Sequence, residues 1–408
     1  MAEGEPGRAT HTDLTETLVS DTLSAVPSEA GLASGISHEV ASGSGVEAGV
    51  GAGSSAGESG TRRSQFESEE LAVVMSHYDI GPIDRIKPFP RGSRKSPKVV
   101  LKSAFGLFLL KRRAKGKEDP RRVAFCHMVQ LHLMDKGFPL PKLLGTRRDN
   151  NSMLKLDGKV YELFEFVRGN AYDQSAEATH DGGRVLATMH RLLGDFECAF
   201  ESSSGSFHGS QSVRSALEHA PLTLRRVYGD AVEERAERIV EGLEYLKRAY
   251  RDAAGRVTEA GLDGWPASVV HSDFHPGNLL YRGTKAVAVI DFDSARRLPR
   301  VVDVANGALQ FSIVGGRKPA EWPEHLDEAR FRRFVAGYGS VTGGVLSEEE
   351  RSVVVPLMVE ALIAEVAVPI AQAGRFGSMS GIEVFDVVGR KVRWLLANEA
   401  RLVEVLAS

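Results

Sequence analysis

His271-Ser272-Asp273-Phe274-His275-Pro276-Gly277-Asn278, with Ile290-Asp291-Phe292-Asp293 shortly after it, is the stretch on which the reading of this chain turns. Between the two halves, Leu279-Leu280-Tyr281 reads as a strand, Arg282-Gly283-Thr284-Lys285 as a turn, and Ala286-Val287-Ala288-Val289-Ile290 as a second, wholly apolar strand. A hairpin brings its outer ends together. Asn278 enters it and Asp291 leaves it, so their side-chain oxygens are expected side by side. Two hard oxygen ligands of this kind suit Mg²⁺, which keeps several waters and takes further ligands from phosphates. Asp273 precedes Asn278 on the same loop, where a carboxylate can accept a hydrogen bond from an attacking hydroxyl.

The segment 271–293, H-S-D-F-H-P-G-N-L-L-Y followed by I-D-F-D-S-A, resembles the aminoglycoside phosphotransferase and choline kinase superfamily. Weaker resemblance extends over about residues 85–400. It implies an α+β, two-lobed protein-kinase-like fold with a small β-rich N-lobe (66–166) and a mostly helical C-lobe (167–408). It also implies ATP as donor, Asp273 as catalytic base, Asn278 and Asp291 as Mg²⁺ ligands, and a small-molecule hydroxyl as acceptor. In that family a lysine on the third small-lobe strand holds the ATP α- and β-phosphates. Lys111, at the end of Leu107-Phe108-Leu109-Leu110, is the choice here. Lys102, Arg112 and Arg113 compete, because each step along a strand reverses the side chain.

Two features depart from the family pattern. The segment Ile86-Lys87-Pro88-Phe89-Pro90-Arg91-Gly92-Ser93-Arg94-Lys95, read as the phosphate-covering hairpin, carries one glycine where such a hairpin carries three. The helix expected over 121–136 offers Cys126, His127 and Gln130 where a glutamate normally pairs with the lysine. Its apolar face is read as Phe125, Met128, Val129 and His132. Tyr161 to Gly169 resembles the strand-to-linker hinge, with main-chain groups from Glu165 to Val167 binding the adenine edge. These departures keep a second reading open: a catalytically weak, kinase-like nucleotide-binding or regulatory protein. In a third, His271, Asp273 and His275 ligate the metal of a hydrolase.

Elsewhere the sequence sets bounds. The chain has 408 residues, a formal net charge of −3 and two cysteines. Nothing in that balance calls for nucleic acid or a membrane surface, and the cysteines make no disulfide scaffold or zinc motif, as suits a reducing cytoplasm. Residues 1–65, rich in Gly, Ser, Ala and Glu and nearly free of aromatics, read as a disordered acidic tail. Helices are expected at 180–194, with His190 packed structurally, and at 229–252, with Val240, Leu243, Leu246 and Tyr250 inward. A Ser/Gly-rich loop spans 197–212. Asp303 is expected as an N-cap that anchors the catalytic loop in the resembling folds. The apolar run 349–373 contains Glu360, Glu365, Pro356 and Pro369, so a buried helix is expected rather than a membrane span. Either glutamate could bind a cationic amine or be a paired structural carboxylate.

Overall fold

The computed structural model describes residues 64–90, 92–93, 95–229, 236–316 and 318–407; the tail reading over 1–65 falls, except for Ser64 and Gln65, outside them. The small lobe runs α1 (Ser68–Met75), β1 (Ile83–Pro88), β2 (Lys98–Ser103), β3 (Gly106–Arg112), α2 (Pro120–Asp135), β4 (Leu143–Leu144), β5 (Leu154–Leu156) and β6 (Lys159–Glu165). The strands form one antiparallel sheet in the order β1-β2-β3-β6-β4, with β5 also on β6.

Strand pleating sorts the side chains to two faces. Val99, Leu101, Phe108, Leu110, Tyr161 and Leu163 point to one, and close a core with Val74, Tyr78 and Ile80. Lys98, Leu109, Lys111 and Glu162 therefore share the other. The register places Lys111 directly across from Lys98 on β2 and from Glu162 on β6. Helix α2 begins where Asp119 accepts the amides of Arg121 and Arg122, with Pro120 in the first turn. Its buried face is Val123, Phe125, Cys126, His127, Val129, Gln130 and Leu133, whereas Met128 is 40% exposed. The expected inclusion of Met128 was therefore wrong: the helix is gripped over a face rotated toward residues 126–127.

The large lobe continues with α3 (Ala176–Leu192), α4 (Gln211–Tyr228), α5 (Ala236–Glu259), β7 (Ser268–Val270), β8 (Leu279–Arg282), β9 (Lys285–Val289), β10 (Arg296–Leu298), α6 (Val301–Ser312), α7 (Glu328–Gly339) and α8 (Glu348–Ala373). It ends with β11 (Arg375–Phe376), β12 (Met379–Ser380), α9 (Gly381–Ala397) and α10 (Glu399–Ala407). The predicted hairpin is β8–β9, turning at Gly283. Helix α5 is described from Ala236; Gly229 is the C-cap of α4, residues 230–235 of the expected 229–252 lie outside the described residues, and Val240 is half exposed rather than inward. Leu243, Leu246 and Tyr250 are buried as expected.

Helix α8 begins at a capping box between Ser347 and Glu350 and ends on Gly374 in the left-handed region. It is long and apolar enough to cross a membrane, yet 89% of its most apolar stretch is buried within the protein. Helices α3 and α7 cross so closely that a Cβ on Gly337 would lie 1.9 Å from the His180 carbonyl oxygen. That contact brings the Tyr338 hydroxyl to 2.8 Å from His190 Nδ1, under the catalytic loop.

Candidate active site

The loop that follows β7 is held from below. Asp303 accepts the His271 amide at 2.6 Å and the Ser272 amide at 2.7 Å, and lies 3.3 Å from His190 Nε2. Asp303 is thus the expected anchor but not an N-cap. Arg300 caps α6, and Asp303 reaches back from within its first turn. Two non-glycine residues, Ser272 and Asp291, adopt φ of +65°, so the backbone is strained on both sides of the site and held there by these contacts.

His271 is fully buried, and burial pushes its pKa down. Its Nε2 lies 3.0 Å from the Ile290 carbonyl, which can only accept, so Nε2 carries the proton. The ring packs 4.8 Å from Phe292. This fixes the carbonyl immediately before Asp291 through Nε2, while Nδ1 is buried without a hydrogen-bond partner among the described residues. Among the described residues, no cluster of three or more His, Cys, Asp or Glu is arranged to hold a metal. His275 Nδ1 accepts the Gly277 amide, and its Nε2 is 3.7 Å from Asp273 Oδ1.

Asn278 donates through Nδ2 to the Asp273 carbonyl at 2.9 Å and to its carboxylate at 3.3 Å. Its Oδ1 is left as the acceptor, the end that suits a hard cation. The Ile290 amide on the Asn278 carbonyl closes the hairpin at 2.9 Å. The Asp273 carboxyl is buried and its pKa is raised well above the usual range. Burial is the main cause and the charge of Asp291 the next, with Asn278 and Lys117 opposing. The two carboxyl groups thus act on one another.

Lys111 reaches down from the sheet to Asp291 Oδ1 at 3.2 Å and Asp293 Oδ2 at 2.6 Å, with Glu162 Oε2 at 3.8 Å. Burial disfavours its charge, but the three carboxylates outweigh this and raise its pKa. Asp291 is correspondingly held low, burial being overcome by Lys111 and Lys98. Register resolves the competing basic residues. Arg112 points to the opposite face, where it meets Glu70 at 2.5 Å. Arg113 points the same way as Lys111 but is taken by Glu162 at 2.7 Å and Asp293 at 3.0 Å. The sequence reading missed Glu162, Asp293 and Lys98, and weighed Arg113 only as a rival to Lys111. The D-F-D spacing was a visible signal for Asp293. The Lys98 ammonium makes no hydrogen bond or ion pair among the described residues, and it lies beneath Gly92 of the β1–β2 loop.

At the linker, the Glu165 amide is spent on the Lys142 carbonyl and the Phe166 amide on the Leu107 carbonyl. Any main-chain contact from Glu165 to a base must therefore come from its carbonyl, while the Val167 amide makes no main-chain bond among the described residues. Of the two α8 glutamates, Glu360 is the structural one, fastened to His208 Nδ1 at 2.9 Å and the Gly209 amide at 2.8 Å. Glu365 has a single hydrogen-bond partner among the described residues, Gln310 Nε2 at 2.6 Å. Burial raises its pKa to about 7, and its charge is felt at Asp273.

The family model described as "Phosphotransferase enzyme family" matches residues 85–347. The chain belongs to this family. A homoserine kinase of Bradyrhizobium diazoefficiens is 26% identical over 291 residues, 70% of this chain and 78% of the relative. A homoserine kinase of Rhizobium etli is 28% identical over 228 residues, 55% of this chain and 63% of that protein, so the match spans less than two thirds of its length. Among solved structures, an amicoumacin kinase in complex with AMP-PNP and Ca²⁺ superposes with a TM-score of 0.56 at 12% identity, over 82% of this chain and 94% of that one. That likeness establishes the kinase-like fold. Fold, family and kinase relatives agree on a small-molecule phosphotransferase, and within that family ATP and a divalent metal are the expected cofactors.

Proposed function

We propose that this phosphotransferase moves the γ-phosphoryl group of ATP to the hydroxyl of a small, amine-bearing acceptor, with Mg²⁺ as the metal. One observation carries the reading: Lys111 from the sheet, Asp291 from the hairpin and Asp273 from the loop, remote in sequence, meet in one buried charge cluster. Asn278 Oδ1 and the Asp291 carboxylate would hold the metal, which supplies positive charge against the triphosphate. Asp273 aligns the acceptor hydroxyl and takes its proton. Lys111 orients the phosphates, and the Val167 amide with the Glu165 carbonyl meets the adenine edge. Catalysis by such a set is positioning and charge neutralisation.

Glu365, singly partnered and close enough to act on Asp273, is suited to an ammonium group on the acceptor. The homoserine kinase relatives make L-homoserine the first acceptor to try, followed by amino alcohols and aminoglycosides. The test is phosphoryl transfer from Mg-ATP measured for the wild type and Asp273→Asn. A loss of roughly 100-fold or more in turnover, with Mg-ATP binding retained, is expected for removal of a positioned base. Near-wild-type turnover in the variant refutes the role of Asp273. Mg-ATP binding without transfer to any of these acceptors favours the regulatory reading instead.

A further inference from the structure

Lys111 needs a fixed carboxylate that no metal will claim, and α2 supplies none: its residues facing the cluster are His127 and Cys126, whose thiol reaches the Asp293 carbonyl at 3.7 Å. The carboxylate comes from the sheet. Glu162, directly across from Lys111 in the β3–β6 ladder, is fully buried, with Oε2 at 3.8 Å from the Lys111 amine. Its other oxygen is gripped from two sides, by Arg113 at 2.7 Å and by His127 Nε2 at 2.6 Å. His127 is itself held by Ser152 at 2.8 Å through Nδ1. Oε2 makes no hydrogen bond among the described residues, so the end nearest the lysine is the uncommitted one.

We propose that Glu162 is the positioning residue for Lys111, taking over from strand β6 the part that a helical carboxylate would play, with His127 transmitting the position of α2 to it. This rests on the phosphotransferase reading. In the described arrangement Lys111 leans on Asp291 and Asp293, the groups nearest to where metal and phosphates would bind. Once a cation occupies Asp291, Glu162 remains as the counter-charge that keeps the amine aimed into the cleft. Arg113 balances Glu162 and Asp293 together, so the set Lys111, Arg113, Glu162 and Asp293 carries no net charge of its own.

A buried carboxylate between two cations would also matter for folding alone, so the decisive experiment relocates it. The charge field at Cys126 includes Arg113, Asp293, Glu162 and Lys111, which places position 126 within reach of the same cluster. Glu162→Gln, Cys126→Glu and the double variant are compared with wild type for kcat and KM of Mg-ATP, with L-homoserine as acceptor probe, and for Tm. For folded Glu162→Gln, kcat/KM for Mg-ATP is expected to fall at least about tenfold, while KM for the acceptor stays within about twofold, as displacement of one orienting group should produce. The double variant should recover most of that loss. A merely structural glutamate would not be replaced by a carboxylate arriving from a different element.

The proposal is overturned if folded Glu162→Gln keeps wild-type kcat/KM, or if it loses activity and the folded double variant regains none. Where Glu162→Gln alone does not fold, the double variant is judged against wild type directly, and an inactive folded double variant overturns the proposal. A wild-type protein that neither binds nor turns over Mg-ATP removes the phosphotransferase reading and this one with it. A wild type that turns over while Glu162→Gln behaves as wild type removes only this one.

Discussion

Asp303 offers the sharpest quantitative test of how the catalytic loop is built. Its two oxygens accept the amides of His271 at 2.6 Å and Ser272 at 2.7 Å, and the side chain is fully buried. A hydrogen bond to a charged group contributes about 1.5–3 kcal/mol, and a buried amide left without an acceptor costs a similar amount. Asp303→Ala orphans both amides and should destabilise the protein by about 3–6 kcal/mol. Asp303→Asn keeps one oxygen and turns an amine toward the other N–H, so about half of that is expected. Urea unfolding at neutral pH gives the difference, provided the slope with denaturant is unchanged. The same substitutions should lower kcat by more than the loss of folded protein explains, because the strained backbone at Ser272 aims Asp273. The reasoning fails if Asp303→Asn lies within about 0.5 kcal/mol of wild type, the range of an ordinary surface change, or if kcat per folded molecule is unaltered.

Two further outcomes follow from the charges. Lys98→Met removes an ammonium that burial disfavours and that has no hydrogen-bonding partner among the described residues, so Tm should hold or rise, while Mg-ATP affinity measured by calorimetry falls severalfold; a clear drop in Tm contradicts the assignment. Lys391 is fully buried and rests on the carbonyls of Val314, Pro323 and His325, and burial, helped by Arg390 and Arg330, lowers its pKa from 10.5 to about 8. The unfolded chain therefore binds the proton more tightly between these values, and stability should rise as pH climbs from about 8 toward 10, by about 3 kcal/mol at most. Urea midpoints across that range, flattened in Lys391→Met, are the check; a fall with pH in wild type, or the same rise in the variant, contradicts it.

The catalytic loop, the hairpin and the strand bearing Lys111 were legible because each is local. Spacing along a short segment and alternation along a strand are set by chain geometry within a few residues, and Asp273, Asn278, Asp291 and Lys111 all sit on such segments. What failed, failed at longer range. Met128 and Val240 lie close enough to their apolar faces to pass as core, and only the neighbouring elements decide where each face ends. Asp303 was placed correctly as an anchor but given the wrong local role, because the cap of α6 depends on where the preceding turn leaves the chain.

Sequence alone therefore determined the chemistry on offer: two carboxylates, an asparagine and a lysine at kinase-like spacing. Tertiary structure decided which charges answer one another. Glu162 lies far from Lys111 along the chain and becomes its neighbour only through the β3–β6 register, and Arg113 and His127 complete the set from a strand end and a helix. A carboxylate at the centre of a strand, between apolar neighbours, looks like a fault when read locally. Burial makes it necessary, since cations removed from water need counter-charges, and only the packed fold shows which ones they find.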